Sequence, residues 1–315
     1  MTVAAGRRIT WDELPARVRG GVEDILGAAV VEALGQAGGF SPGSADRVRL
    51  ADGRRAFVKA AGATPNPRAP LIHRREIEVT AALPPSAPAP RLLGGYDDGD
   101  WVALVLEDVP GRPPATPWLA AEAGRVMATL AGMASALTPA PSIGGEAPGG
   151  EIVAAGATAW ERVAADPPPE LDPWAAAHVQ RLADCAARAP LALAGDTLCH
   201  LDVRADNLLI GADGRVTVVD WPWASPGPPW LDSLLLAVNI RLYGGSVDAE
   251  ELLASSPVTA DADPADITAV LAGLAGSFTD LSRQPAPPGL PTLRAFQQAH
   301  AGALIPWVRA RLGAA

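Results

Sequence analysis

The segment HLDVRADNLLI, residues 200–210, carries polar residues whose types and spacing could do chemistry. Four residues separate Asp202 from Asn207, and a second acid, Asp220, ends the apolar stretch VTVVD that follows. Carboxylate and amide oxygens are the ligands that Mg²⁺ prefers, and a carboxylate can accept a proton from a hydroxyl group. The chain therefore places side chains of both kinds close together in sequence.

A basic residue of unusual type lies far upstream of this segment. Lys59, in the stretch AFVKA, is the only lysine among the 25 Lys and Arg residues. An ammonium is a compact point charge on a slender stem, whereas a guanidinium is a broad planar fork. We interpret Lys59 as the one basic position whose surroundings exclude arginine. The alternative is that a single lysine stands there by chance.

The first third of the chain predicts a small sheet. Residues 30–62 contain three stretches typical of strands, separated by a Gly/Ser/Pro loop at 38–44 and a hairpin turn at 51–53. Apolar residues over 71–83 recur at helical spacing, and prolines follow them. Residues 101–111 predict an apolar strand that leads into an acidic connector. One helix is therefore expected to accompany the strands.

The rest of the chain predicts mainly helices. In chain order we expect a helix over 116–137, a short helix near Trp160, a helix that begins at Asp172-Pro173, strands over 207–210 and 215–220, and helices from about residue 230. Thr116 and Pro117 are suited to the N-cap and first turn of the first helix. The fold class is α+β, with a sheet lobe over 1–108 and a larger helical lobe over 109–315, joined by a hinge at about 105–112.

The order and spacing of the polar residues resemble the protein-kinase-like superfamily. His200, Asp202 and Asn207 lie along its catalytic-loop pattern H-R-D-x-x-x-x-N, and Asp220 stands at its metal-binding aspartate. Lys59 falls on the third predicted strand, where that superfamily places its conserved lysine. This resemblance implies a bilobal protein-kinase-like fold.

The departures from protein kinases indicate one family. Leu201 stands where the pattern has arginine, only a short segment separates Asp220 from Asp232, and no A-P-E stretch follows. Protein kinases need a long segment there to bind peptide. The chain is therefore identified as a member of the aminoglycoside phosphotransferase and choline kinase-like family. The resemblance extends from Gly38 to about Asp232.

The resemblance implies a role for each motif residue. Asp202 would accept the proton of the attacking hydroxyl group, and Arg204 would offset charge on the γ-phosphate. Asn207 and Asp220 would hold Mg²⁺. The implied nucleotide-binding residues are Lys59 with Glu76 at the α- and β-phosphates, Gly39, Ser41 and Gly43 over the phosphates, and the backbone of Glu107 and Val109 at the adenine edge.

Some of these assignments have alternatives within the sequence. Glu78 could replace Glu76 as the partner of the lysine, although we favour Glu76. Arg204 could pair only with Asp206 or another surface acid. His200 is interpreted as a buried support of the loop rather than as a proton carrier.

Four residues after Asp220 are candidates for substrate binding. Asp232 could bind substrate, but we favour a role in bracing the catalytic loop. The aromatic residues Trp221, Trp223 and Trp230 could stack on a base or apolar ring of the substrate, or could be packing residues.

The implied activity is transfer of the γ-phosphate of ATP, with GTP as the alternative donor, to a hydroxyl group of a small molecule. No acidic residue follows Asp280, which argues against a polycationic acceptor. We therefore predict an antibiotic or antibiotic-like metabolite as acceptor, and a role in resistance or self-protection. The alternatives are a metabolite kinase of primary or biosynthetic metabolism, a protein kinase, and a kinase-fold protein that binds without catalysis.

Composition and charge indicate which classes of partner to expect. The formal net charge of −10 argues against a nucleic-acid partner. No apolar run reaches the ~20 residues that span a bilayer, and the start MTVAAGRRIT lacks the apolar stretch of a signal peptide. We expect a cytoplasmic protein that binds a nucleoside triphosphate and a hydroxylated small molecule, with no membrane partner. The oligomeric state is left open.

Overall fold

A computed structural model describes residues 8–36, 43–64, 66–144, 155–288 and 290–313. The strands of its N-terminal part are β1 (Val30–Gly35), β2 (Ser44–Leu50), β3 (Arg55–Gly62), β4 (Leu92–Asp97) and β5 (Trp101–Glu107). They form one antiparallel sheet with the strand order β1-β2-β3-β5-β4, which confirms the predicted sheet. The predicted lobe boundary at residue 108 directly follows β5, and the division into lobes stays a prediction.

Two helices cover opposite faces of this sheet, α1 (Ala16–Leu26) and α2 (Ala69–Ala82). Because side chains alternate along a strand, neighbouring residues of β3 face different helices. Val58 is buried in a hydrophobic cluster with Val22 of α1. Lys59 points the other way and contacts Glu76 of α2. The alternation of β3 thus places Val58 against α1 and Lys59 against α2.

Neither α1 nor β4 is among the predicted elements. Strand β4 contains Gly94 and Gly95, which weaken the local signal for a strand. A Cβ at Gly94 would lie 2.6 Å from Ile25 of α1, and a Cβ at Gly95 would lie 2.8 Å from Ile77 of α2. Both helices therefore pack directly on the strand backbone, and a larger residue at either position would have to displace an isoleucine side chain.

The C-terminal part is mainly helical, as predicted. Its helices are α3 (Ala120–Ala136), α4 (Ala159–Ala165), α5 (Pro173–Ala177), α6 (Val179–Ala186), α7 (Ala189–Ala192), α8 (Leu231–Tyr243), α9 (Ala249–Ser255), α10 (Pro257–Ala260), α11 (Pro264–Ser282) and α12 (Leu293–Leu312). Helix α5 begins at the predicted Asp172-Pro173, and the carboxylate of Asp172 caps it by accepting the N–H groups of Trp174 and Ala175 at 2.9 and 3.0 Å. None of the helices within the described ranges is long and apolar enough to cross a membrane.

The helix predicted over 116–137 begins later than expected. Its N-cap is Leu119, so the assignment of the cap to Thr116 is wrong. The buried indole of Trp118 donates to the Asn239 side chain at 3.1 Å, and its backbone forms a bridge with Gly245. These tertiary contacts hold the segment before α3 outside the helix and override the local capping signal.

Helix α11 forms the centre of the helical part. Its residues from Ile267 to Ser277 are buried, and α4, α6 and α12 pack around it. The indole of Trp160 in α4 donates to the carbonyl oxygen of Ala272 at 2.8 Å. The polar N–H group of this buried indole is thus satisfied.

Two small sheets lie between the large sheet and this helical core. Strands β7 (Leu208–Ile210) and β8 (Val216–Val218) pair antiparallel, which confirms the two predicted strands. Strands β6 (Thr197–Cys199) and β9 (Ser225–Gly227) also pair antiparallel and were not expected, because Ser-Pro-Gly is not a typical strand sequence. Together the four strands hold both ends of the segment that carries the motif residues.

Candidate active site

The motif residues lie on a loop between β6 and β7, and we call residues 200–207 the catalytic loop. The buried carboxylate of Asp232, at the start of α8, supports it from behind. Its two oxygens accept the backbone N–H groups of His200 and Leu201, at 2.7 and 3.0 Å. Leu201 has a φ of 65°, a conformation that costs energy for a residue with a Cβ. This geometry matches the bracing role for Asp232, with both carboxylate oxygens used inside the protein.

The hydrogen bonds of His200 fix its tautomer. Nδ1 accepts the N–H of Asp202 at 3.2 Å, so Nε2 carries the proton and donates to the carbonyl oxygen of Val219 at 3.0 Å. Burial lowers the pKa of His200, against the attraction of Asp232 and Asp220, and the ring stays neutral. The imidazole therefore ties the catalytic loop to the segment before Asp220, as expected for a support.

Asp202 is held by two neighbours on its own loop. The guanidinium of Arg204 donates to both carboxylate oxygens at 2.9 Å, and the side-chain amide of Asn207 donates to Oδ2 at 2.9 Å. Burial raises the pKa of Asp202 to about 6, because the attraction of Arg204 only partly offsets desolvation and the nearby carboxylates of Asp220 and Asp206. The carboxylate is thus oriented, ionised at neutral pH and more basic than an ordinary aspartate.

Arg204 lies between two carboxylates. Its Nε donates to Asp206 at 2.9 Å while its Nη1 donates to Asp202. The predicted alternative, a pair with Asp206, is therefore present together with a pair to Asp202. Burial lowers the pKa of Arg204, but both carboxylates outweigh it and the net shift is upward. A contact between this guanidinium and a γ-phosphate stays a prediction.

Lys59 joins the large sheet to the segment after the catalytic loop. Its Nζ donates to both carboxylate oxygens of Glu76 at 2.7 and 3.0 Å, and to Oδ1 of Asp220 at 2.7 Å. Burial lowers the pKa of Lys59, but the two carboxylates outweigh burial and the net shift is upward. Glu78 is exposed and pairs with Arg75 at 3.4 Å, so the structure brings Glu76, not Glu78, to the lysine.

Asn207 and Asp220 offer oxygen atoms that suit a hard cation. The amide nitrogen of Asn207 donates to the backbone and side chain of Asp202, so its Oδ1 is left for another partner. Oδ2 of Asp220 likewise accepts no hydrogen bond from the described residues. Within those residues no group of three or more His, Cys, Asp or Glu side chains could hold a metal. Two protein oxygens fit Mg²⁺, which keeps several positions for water and phosphate oxygens.

The backbone at Asp220 has an uncommon conformation. Its φ is 72°, in the left-handed region that aspartate tolerates better than most residues. Burial raises the pKa of Asp220, but Lys59 outweighs burial and holds the pKa well below its usual range. Asp220 is therefore ionised under all ordinary conditions.

The tryptophans after Asp220 differ in exposure. Trp221 is 1% exposed and Trp230 is 7% exposed, and both belong to the hydrophobic core of the helical part. The indole of Trp221 donates to the carbonyl oxygen of Val218 at 2.8 Å and lies edge-on to His200. The candidate substrate-binding roles of Trp221 and Trp230 are thus not supported, because their rings are enclosed by protein. Trp223 is half-buried, and its contact with substrate stays a prediction.

The remaining candidate nucleotide-binding residues lie along the large sheet. Glu107 ends β5, and its N–H donates to the carbonyl oxygen of Arg91 at 2.9 Å. Val109 follows in the connector and is half-buried. Gly43 directly precedes β2, whereas Gly39 and Ser41 lie outside the described residues. The contacts of all these residues with a nucleotide stay predictions.

Helix α12 adds aromatic residues that the sequence does not single out. The Phe296 ring lies 5.7 Å from the guanidinium carbon of Arg204. His300, one helical turn later, contacts Phe296 and Phe278 at ring-centroid distances of 4.2 and 4.6 Å. Phe296 and His300 are four residues apart, so the sequence predicts that they share one helix face. No local pattern predicts that this face lies near the catalytic loop.

Comparisons with known proteins found a matching family model and similar solved structures. Residues 39–265 match the model of the phosphotransferase enzyme family. The chain is similar to an aminoglycoside phosphotransferase from Alicyclobacillus acidocaldarius, with 18% identity, a TM-score of 0.56, and 95% of this chain and 96% of that chain covered. It is also similar to choline kinase LicA from Streptococcus pneumoniae, with 15% identity, a TM-score of 0.59, and 94% and 97% covered.

A third similar structure was solved with ligands. It is a thermostable mutant of aminoglycoside phosphotransferase APH(4)-Ia in a ternary complex with ADP and hygromycin B. The identity is 15%, the TM-score is 0.61, and 95% of this chain and 100% of that chain are covered. No curated protein matches the sequence. These structural similarities confirm the protein-kinase-like fold that the motifs predict.

Proposed function

The chain belongs to the phosphotransferase enzyme family, and on this premise we propose that it transfers the γ-phosphate of ATP to a hydroxyl group of a small molecule. One observation carries the proposal. Lys59 contacts Glu76 on α2 and Asp220 beside the catalytic loop, so that an ammonium and oxygen ligands meet at one place between the sheet and the helices. Phosphoryl transfer depends on positioned charge rather than covalent chemistry.

The residues of the site divide the work in this proposal. Asp202 orients the acceptor hydroxyl and takes its proton. Arg204 keeps that carboxylate in position and offsets charge on the γ-phosphate. Lys59, itself fixed by Glu76, binds phosphate oxygens. Asn207 and Asp220 would hold Mg²⁺, which when bound neutralises charge on the phosphates. The ADP bound by APH(4)-Ia is consistent with a nucleotide in this cleft.

We propose an acceptor without strong positive charge, such as a hydroxylated antibiotic or antibiotic-like metabolite, and a role in resistance or self-protection. Helix α12 presents Phe296 near Arg204, and burial lowers the pKa of His300 to about 4, so α12 adds aromatic, uncharged rings on this side of the catalytic loop. Aromatic rings favour flat or apolar surfaces of a ligand, whereas a polycationic sugar needs several carboxylates.

The decisive experiment measures product directly. The purified protein is incubated with Mg²⁺ and either ATP or GTP against a panel of hydroxylated compounds that includes aminoglycosides, macrolides and nucleosides. We expect the mass gain of one phosphoryl group on a neutral or weakly basic compound, and none with Asp202→Asn. Phosphorylation of polycationic aminoglycosides alone would contradict the proposed acceptor class. ATP binding without turnover of any compound, or labelling of a protein, would contradict the proposed activity.

Replacing Lys59 with arginine tests the steric interpretation of the single lysine. The ammonium donates to three carboxylate oxygens within 3.0 Å, and a guanidinium cannot occupy that space without moving Glu76 or Asp220. Because misplacement by about 1 Å costs roughly 10²-fold, we expect kcat/KM for ATP to fall by about that factor. Steady-state kinetics with varied ATP measure it.

A matched control is Arg49→Lys, which exchanges the same two residue types on the exposed part of β2. Arg49 pairs there with Glu32 at 2.7 Å, and its variant should keep the wild-type rate. Near-normal kcat/KM for Lys59→Arg would instead favour the interpretation that lysine stands at position 59 by chance.

The raised pKa of Asp202 predicts an acid limb in the rate profile. A base must be unprotonated to work, and the pKa of Asp202 is about 6 in the nucleotide-free protein. Activity should therefore be present above pH 6 and lost as pH falls, with kcat/KM for ATP roughly tenfold lower at pH 5 than at pH 7. Initial rates across this range check it, with circular dichroism to show that the protein stays folded. A flat profile would contradict Asp202 as the base.

A further inference from the structure

An arginine from the segment before α1 lies at the edge of the nucleotide cleft. Arg8 forms a parallel backbone bridge with Gly43, and the N–H of Ile9 donates to the carbonyl oxygen of Gly43 at 3.0 Å. On its other side Gly43 is so close to β3 that a Cβ would lie 2.2 Å from the carbonyl oxygen of Ala60. Gly43 therefore separates the segment of Arg8 from the strand that carries Lys59.

The side chain of Arg8 belongs to the same cluster of charges as Lys59. Burial lowers the pKa of Arg8, and the attraction of Asp220 and Asp46 acts against burial. Arg8 and Lys59 also both help to lower the pKa of the buried His73. The Arg8 guanidinium thus lies within electrostatic reach of the carboxylate that is expected to hold Mg²⁺.

We propose that Arg8 is a nucleotide-binding residue whose guanidinium binds the terminal phosphates of the triphosphate, on the side of Gly43 opposite Lys59. This proposal rests on the proposed function, because it assumes that a nucleotide occupies the cleft beside Asp220. A guanidinium has a planar set of donors that fits two phosphate oxygens, which an ammonium does not. The site therefore uses two cations of different shape.

The carboxylates of Asp220 and Asp46 are the negative charges that attract Arg8 in the nucleotide-free protein. Asp220 also accepts a hydrogen bond from Lys59 at 2.7 Å, and Asp46 is buried on β2. When Asp220 binds a metal, its attraction for Arg8 weakens, and the phosphates offer the nearest new negative charge. The phosphates would then replace the attraction that Arg8 loses at Asp220.

Nucleotide binding by calorimetry tests the proposal without an acceptor substrate. The wild type, Arg8→Ala and Arg8→Lys are titrated with ATP and with adenosine in the presence of Mg²⁺. Because a hydrogen bond to a charged group contributes about 1.5–3 kcal/mol, we expect Arg8→Ala to weaken ATP binding by roughly 10- to 100-fold. The affinity of Arg8→Lys for ATP should lie between those of the wild type and Arg8→Ala. The affinity for adenosine should be the same in all three proteins.

The matched control is Arg17→Ala, which removes an exposed arginine from α1. Arg17 pairs with Asp98 at 2.6 Å, away from Asp220, and its variant should bind ATP as the wild type does. Unchanged or tighter ATP binding by Arg8→Ala would overturn the proposal, and tighter binding would indicate that Arg8 blocks the cleft. Failure of the wild type to bind ATP would instead contradict the proposed function. If Arg8→Ala does not fold, Arg8→Lys decides alone, and ATP affinity equal to wild type overturns the proposal.

Discussion

Replacing Asp202 with asparagine is expected to lower kcat by roughly 10³-fold while the affinity for ATP changes little. Asparagine has nearly the shape of aspartate but cannot take a proton at neutral pH. The wild-type carboxylate is oriented by Arg204 and Asn207 and is more basic than usual because it is buried. Steady-state kinetics give kcat, and calorimetry with ATP shows whether the nucleotide still binds.

Asp206→Asn is the matched control for this variant. Asp206 is exposed, lies on the same loop and also pairs with Arg204, at 2.9 Å. Its removal changes the charge near Arg204 but leaves the proposed base in place, so kcat should stay within a few-fold of wild type. A near-normal kcat for Asp202→Asn, or equal losses in both variants, would remove Asp202 as the base.

Replacing Asp220 with alanine is expected to abolish measurable turnover and to weaken Mg²⁺-dependent ATP binding. The variant loses an oxygen ligand for the metal and a partner of Lys59 at 2.7 Å. Metal ions contribute several kcal/mol to such transition states, which corresponds to roughly three orders of magnitude in kcat. ATP titrations with and without Mg²⁺ measure the binding, and product formation measures the turnover.

The backbone at position 220 requires a second variant. Alanine at a φ of 72° adds strain, whereas asparagine tolerates this conformation as aspartate does. Asp220→Asn therefore removes the charge alone and should also lose most turnover. Asp213→Ala, on the exposed turn between β7 and β8, should behave as wild type. Mg²⁺-dependent ATP binding that survives both substitutions at 220 would contradict the proposed metal site.

The sequence predicts those parts of the site whose residues are close together in the chain or lie on consecutive elements. Asp202, Asn207 and Asp220 lie on one loop and the strand pair that follows, so their separation in sequence constrains their separation in space. Lys59 and Glu76 lie on a strand and the next helix, which must pack together. The structure brings all five side chains into one cluster.

The parts that the sequence does not predict depend on distant contacts. Strand β4 exists because two helices pack on Gly94 and Gly95, although glycine argues against a strand. Phe296 reaches Arg204 only because α12 packs along α11, and the local sequence carries no sign of that contact. The prediction that α3 begins at Thr116 is wrong for the same reason. The contacts of the buried Trp118 override the local capping signal.

The ion pairs of Lys59 have a consequence for chemical modification of the protein. The chain has a single side-chain amine, and that amine is largely buried and held protonated between Glu76 and Asp220. Reagents that acylate lysine require the neutral, accessible amine. The single lysine of the folded molecule therefore resists such labelling. Acylation of Lys59 indicates that its ion pairs with Glu76 and Asp220 have broken and that the amine has become exposed.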